Sequence, residues 1–186
     1  MALNWACAMR GQLDVVLGTH LHKVALNGVT AWPLDLEGAG RFDLQLAEIA
    51  PDIIVHTAGL TSVDQCEEDP VAARHVNAEL ARTVAEAASR RHIKLVHIST
   101  DHLFAGTRSF YREGDPPDPL NQYAKSKLLA EQWVLKANPE ALVLRTNFFG
   151  WGHAGRQSFS DWIIAALRTG KPLAMFDDVY FTPILA

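Results

Sequence analysis

The chain has 186 residues, 48% of them apolar and 20% charged, with a formal net charge of −4. That length supports one good core, so 1–186 is read as a single domain, and the charge gives no electrostatic case for nucleic acid or anionic lipid as partner. No apolar run reaches the ~20 residues of a membrane span, and MALNWACAMRG lacks the basic start and cleavage site of a signal peptide.

Met1 to Arg10 has the pattern of a helix. Asp14 to Thr19 (DVVLGT) reads as a strand, and Val29 to Leu34 (VTAWPL) as a second one, nearer an edge because of Pro33. Leu44 to Ile49 suggests a short helix, stopped by Pro51, before the apolar strand Asp52 to Thr57 (DIIVHT). A long helical pattern covers Val71 to Ser89, with the acidic run Glu67-Glu68-Asp69 ahead of Pro70, where negative charge suits the helix dipole. Ile93 to Ser99 (IKLVHIS) is a strand, Gly106 to Pro119 a loop, and Gln122 to Leu135 a helix with Leu129 and Trp133 on its buried face. Ala141 to Thr146 (ALVLRT) is a strand, Phe159 to Leu167 a helix, and Pro172 to Phe176 a last short strand. The two cysteines, Cys7 and Cys66, form no CxxC motif, so reduced thiols in a cytoplasmic protein are expected.

Apolar strands alternating with helices indicate an α/β fold with a parallel, doubly wound sheet covered on both faces. Ligands in such sheets sit beyond the carboxyl ends of the strands. Three segments occupy those ends: Thr57-Ala58-Gly59, Ser99-Thr100-Asp101 and Thr146-Asn147-Phe148. Any one of them is also an ordinary strand-to-loop transition, where such residues abound. Asn121 to Lys127 (NQYAKSK) adds Tyr123 and Lys127 four residues apart on one helix face. Alone, that spacing is an ordinary wet helix surface.

Together, PDIIVHTAGLTSVDQCEEDP, HVNAE, VHISTDHLFAG, PLNQYAKSKLLAE and LRTNFFG resemble the extended short-chain dehydrogenase/reductases. Within them the similarity is to the dTDP-4-dehydrorhamnose reductase-like (RmlD-type) sugar-nucleotide reductases. The resemblance runs in order from about Asp35 to Gly150. It implies a Rossmann-type fold that binds NAD(P), and reduction of a sugar nucleotide, a 4-keto-deoxysugar such as dTDP-4-dehydrorhamnose. Hydride transfer to a ketone leaves negative charge on the carbonyl oxygen, and a free tyrosine is a sluggish acid at neutral pH. A nearby lysine ammonium is expected to favour the phenolate. The resemblance therefore makes Thr100 the substrate positioner, Tyr123 the general acid, and Lys127 the group that tunes the tyrosine and holds the nicotinamide ribose.

The same resemblance assigns cofactor contacts to Asp35, Leu36, Thr57, Ala58, Gly59, Asn77, Ser99, Tyr123, Lys127 and Asn147. A further set, Thr61, Thr100, Asp101, His102 and Phe148, faces the substrate. A solvent-facing helix position explains Asn77 equally well, a loop histidine explains His102, and core packing explains Phe148 and Phe149. NADP(H) is favoured over NAD(H), because the second strand of the family pattern ends Gly18-Thr19-His20 with no acid to take the ribose hydroxyls. The nearby His22 and Lys23 suit a 2′-phosphate; a solvated turn explains the same residues. No HExxH or zinc-spaced His/Cys cluster occurs, so no metal is expected.

The departure from the family pattern lies at the ends. The sequence has no G-x-x-G-x-x-G, and Met1 to Arg10 looks like the helix that follows that turn. The expected domain thus lacks the usual first strand and Gly-rich turn, and most of the C-terminal substrate-binding portion. An excised segment, a shortened gene and part of a longer chain all stay open. Losing a central strand leaves two strand edges exposed, so a homodimer through those edges, or poor solubility, is expected. The rival to a reductase is a non-catalytic dinucleotide-binding or regulatory module, like the beta subunit of methionine adenosyltransferase, or an inactive fragment.

Overall fold

A computed structural model describes residues 1–20, 24–38, 40–152, 157–175 and 183–186. Helix α1 (Ala2–Met9) precedes strands β1 (Val16–Thr19) and β2 (Thr30–Pro33), then α2 (Arg41–Ile49) and β3 (Ile53–His56). Two short helices, α3 (Val63–Glu68) and α4 (Pro70–Arg74), lead through a wide π turn at His75–Glu79 into α5 (Leu80–Arg90). Strand β4 (Lys94–Thr100), a single 3-10 turn at Asp101–Leu103, α6 (Gln122–Ala137), β5 (Leu142–Phe149), α7 (Phe159–Thr169) and β6 (Pro183–Leu185) complete the order.

Every strand pair is parallel, as the apolar strands and intervening helices required. The described strands form two sheets, β1-β2 and β3-β4-β5-β6, with no hydrogen-bonded pair joining them. Strand β3 is therefore an edge. Its Ile53 and Val55, read from the sequence as covered on both faces, are 52% and 43% exposed.

The core forms where α5 and α6 lie against β4. Ala81, Ala85 and Ala88 recur on one face of α5, and their small side chains let α6 approach with Ala130 and Val134. Leu95 of β4 and Phe42 and Leu46 of α2 close the cluster, with Leu129 and Trp133 packed at its margin. Arg74 and Arg82 cover the Trp133 ring at 5.2 and 4.8 Å from its centre. On the inner side of α6, the Glu131 carboxylate is buried and accepts bonds from Arg145 of β5, at 3.0 Å from Nε and 2.8 Å from Nη2. Two ordered carboxylate oxygens matched to a planar guanidinium keep α6 in register with β5.

Several elements differ from the sequence expectation. The single helix over Val71 to Ser89 is in fact α4, the π turn and α5 in succession, and α3 had no expected counterpart. Ser62 and Asp69 start α3 and α4 by accepting the backbone N–H groups of Gln65 and Ala72, a capping signal available in the sequence. Strand β5 runs on to Phe149, because β6 pairs with Asn147 to Phe149. The last strand is Pro183–Leu185; Pro172 to Met175 is not a strand, and Phe176, like His22 and Lys23, lies outside the described residues. No helix among the described residues is long and apolar enough to cross a membrane.

Candidate active site at the carboxyl ends of β3, β4 and β5

Parallel pairing puts the ends of β3, β4 and β5 side by side: His56 opposite His97, and Thr100 opposite Thr146. Among the described residues, three buried side-chain atoms here lack a protein hydrogen-bond partner: His56 Nε2, Ser99 Oγ and Thr146 Oγ1. Buried polar groups are ordinarily paired, and these three gather near the carboxyl end of the sheet, where open α/β sheets place their ligands.

Helix α6 brings the other half. Asn121 starts it by accepting the Ala124 N–H at 2.8 Å, which aims Tyr123 and Lys127 at the sheet end. The Tyr123 side chain lies next to that of Thr100. Its ring meets His102 edge-on, with centres 5.7 Å apart. Thr100 Oγ1 also accepts the His102 N–H at 3.2 Å. Asp101 is shared, taking the Thr100 hydroxyl at 3.5 Å and the Asn147 amide at 3.4 Å.

Lys127 is buried one turn beyond Tyr123. Its ammonium donates to the Ile98 carbonyl at 2.7 Å and lies 3.3 Å from His97 Nε2. Burial pulls its pKa from the ordinary lysine value down to about 8, with Glu131 opposing. Burial likewise raises the Tyr123 pKa; the Thr100 side chain lowers it, and Asp101 and Cys66 raise it further. The lowering expected of Lys127 is not among the influences on the phenol, whose pKa burial raises, and the ammonium is engaged with the Ile98 carbonyl of β4. Tyr123 therefore holds its proton at neutral pH.

Asn77, equally readable from sequence as a wet helix residue, is fully buried in the π turn. Its carbonyl accepts the Leu60 N–H at 2.7 Å, and its amide donates to Leu60 O at 3.0 Å and Ser126 Oγ at 2.8 Å. The Ser126 hydroxyl donates in turn to Tyr123 O at 2.7 Å. Asn77 thus ties the loop after β3 to the helix that bears Tyr123 and Lys127. A turn of this wide kind is common at functional sites.

Thr57 and Gly59 are half-buried and Ala58 exposed on the same loop, with Thr61 exposed beyond them. Leu36 packs against the core, and the Asp35 carboxylate accepts the Glu37 and Gly38 N–H groups of its own turn at 3.2 and 2.7 Å. Phe148 stacks edge-on with Trp5 of α1 at 5.6 Å. The structure thus gathers Thr100, Asp101, His102, Tyr123, Lys127, Ser99 and Asn147 at one sheet end. Asp35, Leu36 and Phe148 lie in local packing of their own. Sequence reasoning passed over His56, His97 and Ser126. A histidine near the end of two apolar strands, in VHT and VHIS, was the available signal. No group of three or more His, Cys, Asp or Glu residues that could hold a metal occurs among the described residues.

The sequence matches the family model described as RmlD substrate binding domain over residues 9–186. It is 33% identical over 180 residues to a probable low-salt glycan biosynthesis reductase of Haloferax volcanii, an alignment covering 94% of this chain and 60% of that protein. A hypothetical dTDP-4-dehydrorhamnose reductase from Sulfolobus tokodaii superposes with a TM-score of 0.77 at 29% identity, covering 91% of this chain and 58% of that one. A dTDP-4-dehydrorhamnose reductase from Bacillus anthracis, solved in complex with NADP, superposes with a TM-score of 0.69 at 33% identity, covering 76% and 51%. The chain therefore spans roughly half to six-tenths of the length of these relatives.

Gly59 is the tightest point of the brace: a Cβ there would lie 2.9 Å from Asn77 Oδ1, which is held at both its amide atoms. Gly59→Ala should lower stability by about 1–3 kcal/mol in urea unfolding. An unchanged midpoint would show that Asn77 is free to move aside.

Proposed function

The chain belongs to the RmlD substrate binding domain family, and from that premise we propose that it serves an NADP(H)-dependent reductase of a 4-keto sugar nucleotide such as dTDP-4-dehydrorhamnose. The observation that carries this reading is Tyr123 placed beside Thr100 at the end of β4, with Lys127 anchored one helical turn away.

The donor set suits a nicotinamide dinucleotide. Ser99 Oγ and Thr146 Oγ1 are buried polar atoms awaiting partners at the strand ends, and Thr57, Ala58 and Gly59 leave room above the sheet. Ser99, Asn147, Asn77 and Lys127 are the residues that hold it, Asn77 by fixing the Leu60 loop. When bound, the nicotinamide supplies the hydride that reduces the keto carbon. Thr100 donates a hydrogen bond to the carbonyl oxygen and sets its place. Tyr123 gives its proton to that oxygen as negative charge develops. The upward shift of its pKa is compatible with this direction: the acid is protonated at neutral pH, and an alkoxide is a far stronger base than a phenolate. Lys127 adds a fixed positive charge beneath both. Asp101 and His102 line the substrate side, and Thr61 and Phe148 belong to the same side by family resemblance. NADP(H) is favoured because Gly18-Thr19-His20 supplies no acid for the ribose hydroxyls. The NADP complex of the Bacillus anthracis relative is consistent with that preference.

The protein should oxidise NADPH faster than NADH when dTDP-4-dehydrorhamnose is added, and Tyr123→Phe should reduce turnover by a factor of ~10² or more. Wild-type turnover in Tyr123→Phe would remove the tyrosine from the reaction. The exposed Ile53 and Val55 on the β3 edge also support self-association. Sedimentation of the 186-residue chain should show a dimer; a stable monodisperse monomer would contradict it.

A further inference from the structure

Behind Lys127 lies a pair of histidines for which the reductase chemistry has no use. His97 of β4 and His56 of β3 are both buried, their rings stacked 5.2 Å apart with Nδ1 facing Nδ1 at 3.0 Å. His97 Nε2 faces Lys127 Nζ at 3.3 Å. Two nitrogens of a hydrogen bond cannot both be donors or both acceptors, so one assignment fixes the next. The Lys127 ammonium has only hydrogens to offer. His97 Nε2 must then be the acceptor and His97 Nδ1 must bear the ring hydrogen. His97 Nδ1–H donates to His56 Nδ1, which leaves the hydrogen of His56 on Nε2. That is the nitrogen without a protein partner among the described residues.

We propose that His97 and His56 are positioning residues: two neutral rings in a one-way hydrogen-bonded chain, Lys127 to His97 to His56, that hold the Lys127 ammonium on the Ile98 carbonyl. The chain gives the buried cation a second acceptor without adding a charge. Burial, and then the Lys127 charge, lower the pKa of both histidines, which keeps them neutral. The other charged groups on this wall are Glu131 of α6 and Arg145 of β5, which are closed on each other. Tyr123, on the same helix as Lys127, keeps its proton. The chain ends on a buried donor of β3, so whatever closes it is a hydrogen-bond acceptor. The reductase reading bears only on the purpose that the positioned Lys127 serves.

Nitrogen-15 NMR of the imidazole rings in the wild-type chain tests the assignment. His97 should be the Nδ1–H tautomer and His56 the Nε2–H tautomer, both unchanged from pH 7, below the Lys127 pKa, down to the onset of acid unfolding. The opposite tautomers, or an imidazolium at neutral pH, would overturn it. As a second arm, removing the acceptor with His97→Phe should lower the Lys127 titration midpoint by about one unit, because a hydrogen bond to the charged form is lost. His97→Gln, which keeps an acceptor, should restore it. Equal midpoints in all three proteins would overturn the positioning role. Both readouts are protonation states rather than turnover, so they stand or fall apart from the reductase reading.

Discussion

Burying the Lys127 ammonium is costly, since an unpaired charge in the interior loses several kcal/mol of hydration, and the Ile98 carbonyl and His97 offset that loss. The consequence is positional. A helix that must deliver a cation to one carbonyl of β4 has little freedom to slide or rotate. Tyr123 is one turn from Lys127 on the same face, so the tie that seats the ammonium also seats the phenol against Thr100. The Glu131–Arg145 pair fixes the next turn of the helix to β5. Three residues of α6, spaced four apart, thus bind two strands and leave the reactive end at the strand termini.

The second constraint is the Asn77 side chain. It satisfies both backbone groups of Leu60 and reaches Ser126, whose hydroxyl returns to the Tyr123 carbonyl. The loop over the sheet and the helix beside it are therefore parts of one polar network. Such a network is stiff when complete and unforgiving when broken. Its members come from the π turn at His75–Glu79, the loop after β3 and α6.

Much of this was legible in the sequence. Alternating apolar strands and helices announced the parallel α/β order, and the strand-end triplets around Thr57, Ser99 and Thr146 named the sheet end at which Tyr123 and Lys127 come to lie. The pair in NQYAKSK gained meaning from STDHLFAG before it. What escaped was whatever depends on tertiary partners. Nothing in a helical run discloses that Asn77 turns inward, because its partners lie on a loop and on a distant helix. The histidines in VHT and VHIS became a pair only when β3 and β4 aligned in register. The expected lowering of the Tyr123 pKa considered the lysine charge and omitted burial, which raises it. Ile53 and Val55 read as a covered strand, since a sequence pattern carries no statement about which neighbour lies beside it.

On the proposed function, the carboxyl ends of β3, β4 and β5 receive a nicotinamide dinucleotide. Backbone amide NMR of the chain during titration with NADPH addresses it directly. The shifts should concentrate at Thr57 to Gly59, Ser99 to Asp101 and Thr146 to Phe148. Shifts confined to helix faces away from those ends, or none under saturating NADPH, would contradict it.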